Sequence, residues 1–263
     1  MQLKRVGDQV VVLMGASSGI GRETALRFAR KGAKVVVSAR GEEGLDSLVE
    51  EIRREDGEAI AVPADTSEFD RVKAVADRAV QEYGRLDTWV HLAAVGLFAT
   101  FEETTPEEFG RIIDVNLMGQ VYGAMAALPH IKREGGGALI HVSSMGAKRS
   151  IPLQSAYCAS KHGIDGFLES LRVELQHEKL PISVTQVMPA TINTPLFDKA
   201  HQAGRQAGRS TTDLPASHRL RSHPPCRREP SSGSGRRGRG QGGDPQSAAL
   251  AAVVGCPTQG QGF

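Results

Sequence analysis

The chain has 263 residues, of which 40% are hydrophobic and 24% charged, with a formal net charge of +2 and a length that suits one α/β domain with a substantial core. Its apolar runs are too short to cross a membrane, its amino terminus shows no signal-peptide pattern, and its three cysteines lack the spacing of a disulfide framework or a metal site. These properties argue against a membrane or metal-holding protein and predict one located in the cytoplasm.

Short β-branched runs alternate with longer helical stretches as far as residue 187. The strands are predicted at 10–14, 34–39, 59–62, 88–93, 138–143 and 182–187, and the helices near 20–31, 44–55, 68–83, 107–133 and 155–178. Thr105 and Pro106 mark the start of the fourth helix, as its cap and its first helical residue. The alternation predicts a single Rossmann-like α/β domain, in which a doubly wound parallel sheet carries helices on both faces.

A glycine-rich turn joins the first strand to the first helix. Its sequence, Gly15-Ala-Ser-Ser-Gly19-Ile-Gly21, has the spacing Gly-x-x-x-Gly-x-Gly. Glycines there let the backbone approach a pyrophosphate, while the helix amino terminus supplies N–H donors and a positive dipole end. A tight β–α connection alone would also use glycine, but the residues downstream favour a dinucleotide site. The predicted contacts are Gly15, Ser17, Ser18, Gly19, Ile20 and Gly21.

The end of the second strand bears on the choice of dinucleotide. An NAD site usually places an acidic residue there for the ribose 2′-hydroxyl, whereas an arginine accommodates a 2′-phosphate. This chain has Ala39 at the acidic position, followed by Arg40. A guanidinium pairs with a phosphate, although Arg40 as a solvated loop charge is the simpler alternative. We therefore predict NADP(H) rather than NAD(H).

Ser144, Tyr157 and Lys161 are the predicted catalytic residues. Tyr157 and Lys161 lie four residues apart, on one face of a predicted helix. An ammonium near a phenol favours the phenolate, so we expect the pKa of Tyr157 to fall. Such a tyrosine exchanges a proton with a carbonyl or alcohol oxygen, which Ser144 would hold by a hydrogen bond. A surface helix that carries Tyr and Lys by coincidence is the alternative.

Together these motifs resemble the short-chain dehydrogenase/reductase family over residues 7 to about 198. The resemblance implies a catalytic tetrad in which Asn116 joins Ser144, Tyr157 and Lys161 and holds a water of the proton relay. It also implies that Lys161 contacts the nicotinamide ribose. The further cofactor contacts implied are Asp65 near the adenine, Ala93 beside the cofactor, Tyr157, and Pro189 and Thr194 at the carboxamide.

The chain departs from the family pattern in two places. After the fourth strand it has His91-Leu-Ala-Ala94 where Asn-Asn-Ala-Gly is usual, and Ala190 replaces a glycine. We expect His91 still to donate a hydrogen bond and the change at position 94 to add only a methyl group. These changes are expected to be tolerated, at some loss of stability or cofactor affinity.

The composition changes near residue 200 and divides the chain into a dinucleotide-binding catalytic domain, 1–200, and a low-complexity segment, 201–263. The second segment has nine arginines, eleven glycines and no lysine, a composition typical of disorder. In the resembled family, a substrate-covering helix pair and a seventh strand occupy this place. A natural tail that binds nucleic acid through phosphates and a shifted reading frame in a GC-rich gene both explain the change, and the second is favoured.

Three functions remain open at this point. The first is an oxidoreductase that transfers a hydride between NADP(H) and a small-molecule carbonyl or alcohol, with Tyr157 as general acid/base. The second is an NADP(H)-binding protein with impaired catalysis, because the substrate lid and last strand are altered. The third, and least favoured, is nucleic-acid binding through the basic tail. The resemblance also implies homo-oligomers, built partly on the helices at 107–133 and 155–178.

Overall fold

A computed structural model describes residues 4–189 and the backbone of residues 201–202. Thr194, Ala190 and nearly all of the segment 201–263 therefore lie outside the described residues. The helices are α1 (Gly19–Arg30), α2 (Glu42–Arg54), α3 (Phe69–Tyr83), α4 (Pro106–Ile113), α5 (Gly119–Arg133) and α6 (Ser155–His177). The strands are β1 (Val10–Met14), β2 (Lys34–Ser38), β3 (Ala59–Ala61), β4 (Thr88–His91), β5 (Leu97–Phe98), β6 (Gly137–Val142), β7 (Ile182–Val187) and β8 (His201–Gln202).

The main sheet of the described residues is parallel throughout, in the order β3-β2-β1-β4-β6-β7. This order confirms the predicted Rossmann-like, doubly wound α/β fold. The chain moves outward from β1 in one direction and returns to build β4, β6 and β7 in the other. In such a sheet ligands bind beyond the carboxyl ends of the strands, at the point where the order reverses. That point lies between β1 and β4.

Both faces of the sheet are covered, which explains the continuous apolar runs of its strands. Val11 and Leu13 of β1 pack in one cluster with side chains of α1 and α2. Val12 and Met14 belong to a second cluster, on the opposite face, with side chains of α3, α5 and α6. None of the helices in residues 4–189 is long and apolar enough to cross a membrane.

The helix predicted at 107–133 is interrupted by a π-helical turn over Asp114–Met118. The N–H of Gly119 donates to the carbonyl of Asp114, five residues back. Thr105 and Glu108 form a capping box at the start of α4, with Pro106 as its first residue, as predicted. Apolar periodicity did not indicate the interruption, because one extra residue in a turn leaves the flanking helices amphipathic. Such turns occur frequently at functional sites, and this one carries Asn116.

A second pairing, not predicted from the sequence, lies outside the main sheet. Strand β5 follows the loop after β4, and it pairs in parallel with β8. Leu97 stands opposite His201, and Phe98 opposite Gln202. The backbone at residues 201–202 therefore lies beside the segment that follows β4.

Candidate active site

The glycine turn is packed too tightly for side chains at two of its positions. Gly15 has a φ of +88°, and a Cβ there would lie 2.5 Å from the backbone nitrogen of Ala93. A Cβ on Gly21 would collide with the carbonyl oxygen of Gly15. The N–H groups of Gly15 and Ala16 both donate to the carbonyl of Ser38, at 2.7 and 3.1 Å. The turn is therefore fixed against the ends of β2 and β4, and no side chain fits at Gly15 or Gly21.

The amino terminus of α1 adjoins the glycine turn and has backbone N–H groups available as donors. The backbone of Ser18, the cap residue, is extended, and its side chain makes no capping hydrogen bond. The first N–H groups of a helix have no partner within it, and the helix dipole is positive at this end. A bare glycine turn beside these donors fits the pyrophosphate of a dinucleotide. The structure thus supplies a cradle for the cofactor that the glycine spacing predicts.

A cleft of about 660 Å³ extends from the glycine turn to the end of β6. It brings together nearly all of the predicted site residues. Those that line it are Gly15, Ser17, Ser18, Gly19, Ile20, Gly21, Arg40, Asp65, Ala93, Ser144, Tyr157, Lys161 and Pro189. Asn116 is buried behind the cleft wall and is not part of its lining. Residues separated by more than 140 positions thus meet at one edge of the sheet.

Two arginines line the cleft, and they differ in whether a carboxylate is bound to them. Arg40 is exposed and makes no hydrogen bond or ion pair with the described residues. Arg111 of α4 is bound to Asp65, with 2.8 Å between Nη2 and Oδ2. Burial raises the pKa of Asp65, but hydrogen bonds from Ser67 and Arg111 outweigh it, so the pKa lies below its usual value. Of these two arginines, Arg40 is therefore the one without an acid partner among the described residues, and Asp65 is ionised and held in place.

Arg111 is a cleft residue that the sequence did not reveal. It lies 46 positions from Asp65, on the helix that precedes the π turn. Its guanidinium also donates to Ser67 Oγ, at 2.7 Å. The sequence signal available was an arginine on a helix of unknown orientation, which does not distinguish a cleft residue from a solvated one.

Lys161 and Tyr157 lie one helical turn apart on α6, as predicted. Lys161 is only 1% exposed, its Nζ donates to the carbonyl of Val142 at 3.2 Å, and it lies 5.5 Å from the centre of the Tyr157 ring. Burial lowers the pKa of Lys161 to about 8. The ammonium therefore sits at the floor of the cleft, under the ring, and is held by the backbone of β6.

The expected fall in the pKa of Tyr157 was wrong for the protein on its own. Burial raises this pKa, and the nearby Ser144 hydroxyl opposes only part of the rise. The attraction of the Lys161 ammonium does not outweigh burial, because its Nζ is bound to the Val142 carbonyl and lies 5.5 Å from the ring centre. In the structure, Tyr157 is therefore a neutral phenol at neutral pH, ready to act as a proton donor.

Ser144 occupies the turn between β6 and α6, beside Tyr157. It caps a short 3-10 turn over Met145–Ala147, and its Oγ accepts a hydrogen bond from the N–H of Gly146 at 3.1 Å. That bond uses the oxygen as an acceptor and leaves the hydroxyl proton free to donate. Ser144 can therefore hold a carbonyl oxygen while Tyr157 protonates it.

Asn116 braces the loop after β4. Its Oδ1 accepts from the N–H of Val95 at 2.8 Å, and its Nδ2 donates to the Val95 carbonyl at 2.9 Å. Nδ2 also lies 3.4 Å from Ser160 Oγ, which donates to the carbonyl of Tyr157. The π turn thus presents a fully buried amide that ties the loop to α6. The side chain thus contacts the helical turn that carries Tyr157, and the relay water implied by the resemblance stays a prediction.

His91 makes the hydrogen bond expected of it. Its Nδ1 accepts from the indole N–H of Trp89 at 3.4 Å, so its Nε2 carries the proton that is donated to Thr66 Oγ1, at 3.0 Å. Burial, with smaller contributions from His141 and Lys161, holds the pKa of His91 well below its usual value. A neutral histidine therefore links β4 to the loop after β3, where the family pattern has asparagine.

The parallel sheet and the cleft at its carboxyl edge place this chain in the class of Rossmann-like oxidoreductases. The chain belongs to the short chain dehydrogenase family, whose model matches residues 9–204. This match confirms the resemblance, which the motifs indicated over residues 7 to about 198.

Relatives of this family are similar to most of the described chain. An uncharacterized oxidoreductase of Bacillus subtilis, YxnA, is 44% identical over 202 residues, which cover 76% of this chain and 57% of YxnA. A family member from Burkholderia phymatum, solved with NAD, is 27% identical with a TM-score of 0.73, over 75% of this chain and 70% of that one. A variant of the actinorhodin polyketide ketoreductase, solved with NADPH, is 30% identical with a TM-score of 0.69, over 74% of each chain. The neighbours thus include both an NAD and an NADPH complex.

Proposed function

We propose that this protein is an NADP(H)-dependent reductase of neutral carbonyl compounds, and catalyses the reverse oxidation of the alcohols. The observation that carries the proposal is the shared cleft, in which the glycine turn and Arg40 lie at one end and Ser144, Tyr157 and Lys161 at the other. A dinucleotide bound along it would place its phosphates at the turn and its nicotinamide beside Tyr157.

The proposed chemistry assigns each catalytic side chain a separate task. The bound dinucleotide supplies the hydride that reduces the carbonyl carbon. Tyr157 donates its Oη proton to the carbonyl oxygen, which becomes the alcohol hydroxyl. Ser144 donates a hydrogen bond to the same oxygen and holds it near Tyr157. Lys161 stabilises the phenolate that remains, because its ammonium lies against the ring.

Protonation states in the structure favour the reductive direction at neutral pH. Burial raises the pKa of Tyr157, so the phenol carries its proton and acts as the acid. Oxidation needs the phenolate as a base and is expected to accelerate as the pH rises. Lys161, whose pKa burial lowers to about 8, keeps most of its charge at neutral pH.

Arg40 supports the choice of NADP(H). The known structures of the family include both dinucleotides, so they do not decide between them. In this chain Ala39 leaves no carboxylate to repel a 2′-phosphate, and Arg40 lines the cleft without a partner among the described residues. A phosphate at this point would form a charge-assisted pair with the guanidinium.

The half of the cleft around Tyr157 favours an uncharged, apolar substrate. Its lining contributes Val95, Phe98, Met145 and Ile151. Met145 is 55% exposed and Ile151 is 40% exposed, so a substrate would remove apolar surface from water. Within the described residues, four charged side chains line the cleft. Arg40 follows β2, and Asp65 and Arg111 pair with each other. Lys161 is only 1% exposed, and its Nζ is bound to the carbonyl of Val142. A ketone or aldehyde with an apolar body suits this half better than a carboxylate.

The proposal is tested by incubating the full chain with NADPH and a panel of ketones and aldehydes, with consumption of NADPH followed by absorbance. Cyclic and aromatic ketones are expected to be reduced faster than keto acids of the same size. Binding of NADPH without turnover of any member would instead support a cofactor-binding protein with impaired catalysis. A parallel panel with a restored carboxyl-terminal reading frame shows whether the segment 201–263 limits the activity.

A further inference from the structure

A buried hydrogen-bond chain lies directly beneath Lys161. Gln120 of α5 is fully buried, and its Nε2 donates to the carbonyl of Val142 at 2.9 Å. Its Oε1 lies 3.0 Å from Nδ1 of His141, which is also fully buried. The same Val142 carbonyl accepts from Lys161 Nζ, at 3.2 Å. One backbone oxygen thus connects an uncharged amide to the proposed catalytic lysine.

The donors and acceptors of this chain have one consistent arrangement. Gln120 has to turn its N–H group towards Val142, because a carbonyl oxygen can only accept. Its own oxygen then faces His141, so the histidine carries its proton on Nδ1. His141 Nε2 has no partner among the described residues, and burial lowers the pKa of His141 to about 3. The Val142 carbonyl therefore orients the Gln120 amide, and the neutral His141 holds the amide in that orientation by donating from Nδ1.

We propose that Gln120 is a positioning residue for Lys161, acting through the shared Val142 carbonyl, and that His141 fixes the direction of the Gln120 amide. The catalytic significance of this role rests on the proposed function, because Lys161 supports the proton transfer only if Tyr157 is the donor. The geometry itself does not depend on that function. Gln120 lies on a different helix from Lys161 and does not line the cleft.

The sign of the effect follows from the shared acceptor. The Gln120 N–H points its partial positive charge at the same oxygen as the ammonium, so it disfavours the charged form of Lys161. Within residues 4–189, the other titratable groups near Lys161 are Tyr157 on α6, His91 on β4 and His141 on β6, while α5 contributes the neutral Gln120. Replacing Gln120 by an apolar side chain of similar length is therefore expected to raise the pKa of Lys161.

The test is a pH titration of Lys161 by nuclear magnetic resonance, with isotope-labelled lysine in the full chain and a Lys161→Met variant to assign the signal. Gln120→Met is expected to raise the titration midpoint by about half a pH unit or more, a threefold change in the protonation equilibrium. If the chain reduces a carbonyl compound, its rate can also be measured as a function of pH. The inflection due to Lys161 is then expected to move to higher pH in Gln120→Met.

Gln9→Met is the matched control. Gln9 is also a buried glutamine with two hydrogen bonds, donating to the carbonyl of Lys4 and accepting from Thr88 Oγ1, but it precedes β1 at the opposite edge of the sheet. Both variants lose the same chemical groups and are expected to lose similar stability. Only Gln120→Met is expected to move the Lys161 midpoint. An unmoved midpoint in Gln120→Met, or equal shifts in both variants, overturns the proposal.

Two variants of His141 give a second measurement that does not require Gln120→Met to fold. His141→Asn keeps an N–H near the position of Nδ1 and is expected to preserve the Lys161 midpoint. His141→Leu removes the donor, releases the Gln120 amide and is expected to raise the midpoint. The same midpoint in both variants contradicts the role given to His141. Because the titration needs neither cofactor nor substrate, a failure of the proposed function leaves these results interpretable.

Discussion

The two ends of the cleft are built in different ways. At the glycine turn the geometry depends on the backbone, which hydrogen bonds to Ser38 hold and which leaves no room for side chains at Gly15 and Gly21. At the Tyr157 end the geometry depends on buried polar side chains, among them Lys161 and Gln120, whose hydrogen bonds cross between elements. Cofactor binding at the glycine turn is therefore expected to weaken when a substitution adds side-chain volume there. The Tyr157 end is expected to be sensitive to lost hydrogen bonds and to pH.

The largest effect is expected from Tyr157→Phe, which removes the proposed acid and leaves the ring. Turnover of any accepted ketone should fall by about a thousandfold or more, because proton transfer by a positioned side chain contributes about 10²–10⁴-fold. The dissociation constant for NADPH, measured by fluorescence, should change little. Turnover within tenfold of the native rate would remove Tyr157 from the mechanism.

Gly15→Ala tests the glycine-turn end of the cleft. The new methyl group would meet the backbone of Ala93 at a φ of +88°, so we expect a loss of about 1–3 kcal/mol in stability and weaker NADPH binding. Gly84→Ala is the control, since Gly84 has a φ of +77° with no atoms within 4 Å of the added carbon. Thermal denaturation and NADPH titration of both variants separate strain from crowding. Equal NADPH affinities in the two variants contradict a tight turn at the cofactor.

Arg40→Ala tests the preference for NADP(H). Loss of one charge-assisted phosphate contact is expected to weaken NADPH binding by about tenfold or more, with little change for NADH. Arg54→Ala, an exposed arginine on α2 outside the cleft lining, should change neither affinity. If Arg40→Ala weakens both dinucleotides equally, or neither, the 2′-phosphate assignment is wrong.

The smallest expected effect is a loss of folding stability at acid pH. It comes from the buried histidines near the Tyr157 end of the cleft. His91 and His141 are neutral in the fold, with pKa values held below that of the unfolded chain, near 6.5. The unfolded state therefore binds more protons, and stability falls as the pH drops below about 6.5 towards the pKa of His141, about 3. Each histidine should cost about 1 kcal/mol between pH 7 and 5.5. Urea unfolding at both pH values checks this, and His141→Asn should remove about half of this contribution.

The glycine-turn end of the cleft was largely predictable from the sequence, because the residues that shape it are close together in the chain. The spacing of Gly15, Gly19 and Gly21 after an apolar strand already specifies a turn that only glycine permits. The parallel, doubly wound arrangement followed from the βα alternation, whereas the strand order was not predicted. The position of Arg40 is equally local, since it directly follows β2.

The Tyr157 end of the cleft was less predictable, because its contacts join residues that are far apart in sequence. Asp65 meets Arg111 across 46 positions, and Gln120 meets Val142 across 22. The direction of the Tyr157 pKa was wrong for the same reason: helical spacing places Lys161 nearby, but burial and the engagement of its Nζ by Val142 depend on the whole fold. The π turn at Asn116 is likewise invisible to apolar periodicity.

The central claim is that the chain moves a hydride from NADPH to a carbonyl carbon while Tyr157 supplies the proton. Its most direct test uses NADPH deuterated at the transferable position of the nicotinamide, with a reduced ketone analysed by mass spectrometry. We expect one deuterium on the carbinol carbon of the product with the native chain, and less product by about a thousandfold or more with Tyr157→Phe. An alcohol without the label, or labelled alcohol formed equally by Tyr157→Phe, would contradict it.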